Sequence, residues 1–150
     1  MTATIFRATA DETWNLIFFE HLSMLSSVDQ ETMNRTFRNS SHIWLGLDHD
    51  KVLGLWGLIP PTLLSDRAYL WLYTTKYLAG HEFLFIRHSQ RAVQEMLEQF
   101  PLIVGNTLKE NRRAIRWLKW LGAEFTTTPA NPVLYFEIKK PWQPQLVQSA

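Results

Sequence analysis

The chain has 150 residues, with 15 Lys and Arg against 14 Asp and Glu, and a formal net charge of +1. This length suits one compact domain around a single core. The near-neutral charge creates no large field for nucleic acid or an anionic membrane, so neither is an expected partner. The absence of cysteine excludes disulfides, thiolate metal sites and cysteine nucleophiles. The sequence begins with no basic and apolar leader and has no apolar segment long enough to span a membrane, so a cytoplasmic protein is expected.

The N-terminal half of the sequence alternates between strand-like and helix-like patterns. Trp14, Ile17, Phe18 and Leu22 recur at helical spacing. Two apolar runs are joined by a polar segment at residues 48–51, which favours a β-hairpin. The predicted elements are a strand at residues 4–7, a helix after Asp11, a short helix within 26–38 capped by Asp29 or Gln30, and strands at 43–47, 52–59 and 68–75. The last three strands are expected to be consecutive and antiparallel.

The C-terminal half begins with a long helical pattern in which the apolar residues between His81 and Phe100 share one face. The other predicted elements are a short strand at 102–104, a helix from Asn111 to Leu121 with Gly122 as its C-cap, strands at 124–127 and 133–139, and a Pro/Gln-rich tail at 140–150. The order β-α-α-β-β-β-α-β-α-β-β predicts an α/β (α+β) fold, in which helices flank a mixed, mostly antiparallel sheet. One domain is expected over residues 1–139.

Residues 102–125, LIVGNTLKENRRAIRWLKWLGAEF, carry the most specific pattern in the chain. Asn111, Ala114, Ile115 and Gly122 match the strand-helix-glycine unit of GNAT N-acetyltransferases, N-x-x-A-(I)-x-x-(Y)-x-x-x-G-F. The segment IFRATADET near the start resembles the first strand of that family and its turn into the first helix. The chain therefore resembles the GNAT superfamily, and the resemblance implies the GNAT fold over nearly the whole sequence.

The ending LGAEF, in place of LGF, makes this segment similar to a GNAT-like family of short-tailed bacteriophages called internal virion protein A. That narrower resemblance implies synthesis in the host cytoplasm and a place in the virion or in its assembly. Phage or host proteins are then the expected partners. Acetyl transfer does not follow from the fold alone.

In GNAT enzymes, a Q/R-x-x-G-x-G/A turn holds the pyrophosphate of acetyl-CoA with backbone N–H groups, and its glycines let the phosphates approach closely. The matching stretch here is TTKYLAGHE, residues 74–82, with a single glycine. If acetyl-CoA is bound, Thr74, Thr75, Lys76 and Gly80 are its expected contacts. A plain strand-to-helix turn without a cofactor is the favoured interpretation.

The acid and base of a GNAT enzyme have weak counterparts in this sequence. The place of the family's general-acid tyrosine falls on Leu118, which has no proton to donate. Trp117 and Trp120 beside it are expected to pack their helix onto the sheet. The strand at 68–75 contains no carboxylate, so His81 is the candidate base, against the plainer role of a capping or surface residue.

The remaining polar residues favour structural roles. Asn106 and Asn111 would contact an acyl-pantetheine amide in an active relative, but ending a strand and capping a helix are the favoured roles. No metal site is expected, because the histidines have no carboxylate partners at ligand spacing. The basic side of the helix at 111–121 is expected to face solvent. Trp142 in the tail is a candidate anchor for a partner protein.

These patterns favour a catalytically degenerate GNAT-like protein that acts through protein contacts, as a virion-associated or assembly component. One alternative is an acetyl-CoA-dependent N-acetyltransferase acting on an amine of a small molecule or host protein. Attack by a deprotonated amine needs only positioning and an oxyanion donor, so the missing acid does not exclude an enzyme. A second alternative is an inhibitor that binds one host protein.

Overall fold

The computed structural model describes residues 3–16, 30–63, 66–126 and 129–139. The elements found there are β1 Ala3–Arg7, α1 Ala10–Leu16, α2 Gln30–Asn39, β2 His42–Asp48, β3 Lys51–Ile59, β4 Ala68–Thr74, α3 Glu82–Gln99, β5 Leu102–Leu108, α4 Arg112–Trp120, β6 Glu124–Thr126 and β7 Val133–Lys139. A 3-10 turn at Lys76–Leu78, which the sequence did not predict, follows β4. The order of strands and helices is otherwise the predicted one, and the α+β fold class is confirmed.

The seven strands form a sheet in the order β1-β2-β3-β4-β5-β7-β6. The pairs β1–β2, β2–β3, β5–β7 and β6–β7 are antiparallel, whereas β4 and β5 are parallel through Ala68 opposite Ile103. The described residues fall into two compact units. Unit 1 comprises Met1–Pro60 and Leu70–Phe85, and unit 2 comprises Pro61–Tyr69 and Ile86–Ala150, so that β4 and α3 each contribute to both.

The hairpin of β2 and β3 is the centre of unit 1. Residues 52–58 of β3 are all buried, as expected for a strand whose sequence is almost continuously apolar. Gly46 lies opposite Gly54 in the register, and the ring of Phe85 from the first turn of α3 lies against both glycines. The start of α3 is therefore held against the hairpin by a ring that packs where the strands carry no side chain.

The loop of this hairpin has two residues, because Asp48 pairs with Lys51 in the register. His49 has a positive φ of 56°, a left-handed conformation that His adopts more readily than β-branched residues do. The hairpin predicted from the polar segment at 48–51 is therefore confirmed. The turn presents Asp48 at the end of β2, which becomes important at the candidate site.

Unit 2 contains the strand-helix-glycine unit that was recognised in the sequence at residues 102–125. Gly122 has a φ of 84° and donates its N–H to Lys119 O, while Ala123 donates to Leu118 O at 3.1 Å. These two bonds form a Schellman motif, so the predicted glycine end of α4 is confirmed. Side chains also join α3 to α4, since Trp117 Nε1 donates to Ser89 Oγ at 2.8 Å. Trp117 is buried and bonds to α3, and the predicted packing of its helix onto the sheet stays a prediction.

One strand differs from the prediction. The sequence predicted a strand at 102–104 that Asn106 would follow as its end, but β5 runs to Leu108 and contains Asn106. The reason is its pairing with β7, which continues from Leu102 opposite Lys139 to Leu108 opposite Val133. Ladder pairing over the whole length outweighs the weak strand propensity of Gly105 and Asn106.

Several sequence predictions concern residues outside the described ranges. They are the apolar set beyond Leu16, the cap at Asp29, and the tail at 140–150 with Trp142. The domain limit at residue 139 stays a prediction. Among the described helices, none combines the length and apolarity needed to cross a bilayer.

Candidate functional site

The segment between β4 and α3 is the stretch that the sequence matched to the pyrophosphate turn, and it lies wholly in unit 1. Thr74 is the last residue of β4, and Thr75 caps the 3-10 turn that follows. The Thr75 side chain is buried, at 5% exposure. Its hydroxyl donates to Val52 O at 2.5 Å, and its N–H donates to Leu53 O at 3.1 Å. Thr75, the residue that begins the turn, therefore attaches the turn to β3.

The backbone N–H groups of residues 77–81 all donate within the turn itself. The donors and acceptors are Tyr77 N to Thr75 Oγ1 at 3.2 Å, Leu78 N to Thr75 O at 3.2 Å, Ala79 N to Lys76 O at 3.5 Å, Gly80 N to Glu82 Oε2 at 2.9 Å, and His81 N to Leu78 O at 2.9 Å. A phosphate-binding turn works in the opposite way, because its N–H groups point at the ligand. Five consecutive N–H groups of this turn therefore already donate to acceptors of the turn itself.

Gly80 and Glu82 form the last part of the turn. Gly80 has a φ of 88°, which explains why glycine is needed at this position. The Glu82 carboxylate is at the first residue of α3, where the helix dipole favours a negative charge. At the start of α3, the Gly80 N–H therefore donates its hydrogen bond to a carboxylate oxygen of the protein itself.

Two cations of unit 1 lie against one aromatic ring of the turn. Lys51 Nζ is 4.9 Å and Lys76 Nζ is 5.4 Å from the centroid of the Tyr77 ring. Both distances are within the range of a cation–π contact. Lys76, a predicted cofactor contact, is thus exposed at the turn and has an aromatic neighbour there.

His81, the predicted candidate base, has a carboxylate partner that sequence reasoning missed. Its Nε2 lies 3.3 Å from Asp48 Oδ2, and the two side chains are 23% and 27% exposed. His49 Nε2 lies 3.9 Å from the other oxygen of Asp48. If Nε2–H of His81 donates a hydrogen bond to Asp48, Nδ1 is the ring atom that can take up a proton from a substrate.

Asn106 and Asn111 belong to unit 2, and each has a partner there. Asn106 Nδ2 donates to the Tyr69 hydroxyl oxygen at 3.2 Å, and burial raises the pKa of Tyr69 while this bond acts in the opposite direction. Asn111 is the N-cap of α4, where its Oδ1 accepts from Ala114 N–H at 3.2 Å. The capping role of Asn111 is therefore present, and binding of a pantetheine by either residue stays a prediction.

The helices of unit 2 supply no acid at the expected place. Leu118 is 2% exposed and belongs to the core. His88 of α3 is half-buried, and burial lowers its pKa below the ordinary histidine value, with Arg91 adding to the shift and Glu95 opposing it. In the part of the chain that the structure describes, no three His, Asp or Glu side chains form a group able to hold a metal ion.

Comparison with solved structures identifies the class of protein with this fold. The yncA protein of Salmonella typhimurium, solved with its cofactor acetyl-CoA, matches at 12% identity and a TM-score of 0.66 over 93% of this chain and 94% of that one. An N-acetyltransferase from Staphylococcus aureus Mu50 matches at 13% and 0.66, over 93% and 99%. An acetyltransferase of the GNAT family from Streptococcus pneumoniae matches at 12% and 0.61, over 90% and 96%. No family model and no curated protein sequence matches the chain.

The fold is therefore that of the GNAT N-acetyltransferases, as the motif at residues 102–125 predicted. Identities this low establish the fold and leave the activity open. The narrower resemblance to the phage internal virion protein family receives no support from these comparisons.

The yncA structure contains acetyl-CoA, and the turn of this chain can be compared with what the pyrophosphate of such a cofactor needs. A pyrophosphate needs several N–H donors at the start of α3, but the donors at residues 77–81 bond inside the turn. Glu82 also adds a negative charge at the same place, which repels a phosphate. The residues present do not fit a pyrophosphate grip of the GNAT kind.

Proposed function

We propose that this chain is a GNAT-fold protein that does not carry out acetyl transfer and acts through contacts with other proteins. The observation that carries the proposal is the use of the five N–H groups at residues 77–81 inside their own turn. The burial of Leu118 at the place of the family's tyrosine agrees with it. Neither feature disturbs the packing of the fold. The first takes up the N–H donors that a pyrophosphate would need, and the second leaves no proton donor at the tyrosine place.

The partners that we propose are proteins of a phage virion or of its host, with a role in the particle or in its assembly after synthesis in the host cytoplasm. This part rests on the sequence LGAEF at residues 121–125, directly after α4, and on its resemblance to the phage family. Detection of the chain in purified particles separates a virion role from an inhibitor that acts on a host protein.

The experiment that tests the central proposal is calorimetric titration of the purified chain with acetyl-CoA. We expect no saturable binding up to about 1 mM, which corresponds to roughly −4 kcal/mol. Saturable binding with one-to-one stoichiometry would contradict the proposal, because the turn would then hold the cofactor in spite of its internal bonds.

A second candidate function is an acetyl-CoA-dependent N-acetyltransferase, which the contact between His81 and Asp48 favours. A carboxylate that holds an imidazole in one tautomer is a common arrangement for a general base. The acceptor in this case is an amine of a small molecule or a protein. If the titration shows binding, release of the CoA thiol should be measured with an amine panel, and His81→Gln should reduce the rate by at least about 100-fold.

A further inference from the structure

We infer that the Glu82 carboxylate occupies the anion position of the β4–α3 turn, and that this internal carboxylate excludes a cofactor pyrophosphate from it. The inference rests on the proposed function, because it names the residue through which the turn rejects CoA. Its central observation is the hydrogen bond from Gly80 N–H to Glu82 Oε2 at 2.9 Å.

The position of Glu82 supports this role. It is the first residue of α3, an 18-residue helix, so its charge lies at the end of the helix that favours anions. The carboxylate and a phosphate would compete for the same electrostatic environment. A phosphate that entered would also lie beside a fixed negative charge, which weakens its binding.

Bulk does not account for the exclusion at Gly80. A Cβ built on this residue would meet nothing within 4 Å, so the space next to the backbone at this point is open. The bonds from the N–H groups of residues 77–79 and 81 end on backbone carbonyls or on the Thr75 hydroxyl, which also attaches the turn to β3. Among the acceptors of the five bonds, Glu82 supplies the only charged group, so its substitution removes that charge and leaves the acceptors of the other four bonds unchanged.

The plainer interpretation is that Glu82 only stabilises the start of its own helix, as acidic residues in a first turn commonly do. Both interpretations share the same geometry. They differ in what happens to an added anion when the charge is removed.

The experiment compares the full-length wild type with Glu82→Gln, Glu82→Ala and the control Glu98→Gln, which removes an exposed carboxylate near the other end of α3. Each protein is titrated with inorganic pyrophosphate and with CoA in a calorimeter. Glutamine keeps an acceptor for Gly80 N–H and removes only the charge, whereas alanine removes both. Circular dichroism and the melting temperature show that each variant is folded, and the near-isosteric Glu82→Gln protects the test if the alanine variant fails to fold.

We expect wild type and Glu98→Gln to show no saturable binding up to about 1 mM, and Glu82→Ala to bind both ligands with a Kd at least tenfold below that limit, with Glu82→Gln between them. Folded Glu82 variants that still bind neither ligand would overturn the inference and leave the proposed function standing. An equal gain in Glu98→Gln would also overturn it, because the effect would then come from net charge. Binding of CoA by the wild type would overturn both.

Discussion

Glycine serves opposite purposes in the β2–β3 hairpin and in the turn between β4 and α3. In the hairpin, a Cβ on Gly46 would lie 2.5 Å from the ring of Phe85, and one on Gly57 would lie 2.4 Å from the ring of Trp71. In the turn, a Cβ on Gly80 would meet nothing, and the residue is needed only for its positive φ. Hairpin glycines make room for neighbours, whereas the turn glycine permits a backbone conformation.

The difference shows that the hairpin depends on close packing, whereas the turn depends on its backbone conformation and hydrogen bonds. The hairpin keeps the close packing that positions the start of α3, and α4 keeps its cap and its glycine end. The turn is the region where a cofactor would require open backbone donors, and its N–H groups at residues 77–81 donate to carbonyl oxygens of the turn, to the Thr75 hydroxyl or to the Glu82 carboxylate.

The largest effect expected from this comparison is that of Gly57→Ala in the hairpin. The added methyl would overlap the Trp71 ring and would also lie 2.6 Å from His42 O, a backbone atom that cannot move without shifting β2. We expect a loss of about 3 kcal/mol in the free energy of unfolding, at the upper end of overpacking effects. Urea denaturation followed by circular dichroism measures it.

Gly80→Ala is the matched control in the turn. Its methyl has space, so the expected cost is only the strain of a left-handed residue, about 1 kcal/mol. Equal losses for the two variants would contradict the division between packing glycines and conformational glycines.

The next effect concerns the attachment of the turn to β3 through Thr75. Thr75→Val keeps the shape of the side chain but removes the hydroxyl that donates to Val52 O and accepts from Tyr77 N–H. Because both partners lie at a buried site, we expect a loss of about 2 kcal/mol in stability. Thr74→Val, at the preceding residue whose hydroxyl takes no part in these contacts, should change stability by less than about 0.5 kcal/mol. A small loss for Thr75→Val would mean that the turn is held mainly by its backbone bonds.

The sequence predicted the order of elements well because the change from a period of two to a period of 3.6 is strong in this chain. Capping at Asn111 and the end of α4 at Gly122 were also visible, since both depend on local residue type. The length of β5 was missed, because pairing with β7 is a non-local effect that residue preferences do not contain.

The candidate site was only partly predictable for a related reason. His81 and the turn were found from the family motif, but Asp48 is distant in sequence and reaches His81 only through the packing of the hairpin against the start of α3. Most hydrogen bonds inside the turn join backbone atoms, so the residue types of the turn do not predict them. Their acceptors become visible only when the path of residues 75–82 is known.

The smallest expected effect is the coupling between Asp48 and His81, which joins the hairpin to the turn. Both side chains are partly exposed, so a double-mutant cycle with Asp48→Asn and His81→Gln should give about 0.5 kcal/mol. The coupling should decrease when the salt concentration is raised. It is measured from urea denaturation of the wild type, the two single variants and the double variant.

The size of this coupling also separates the two proposed functions. A pair worth about 0.5 kcal/mol adds little to stability, so a large effect of His81→Gln on any measured transfer rate would have to come from chemistry rather than folding. A coupling above about 2 kcal/mol would instead identify Asp48 and His81 as a structural clamp between hairpin and turn. In that case the contact would belong with the glycines of the hairpin, as part of the scaffold that the chain has kept.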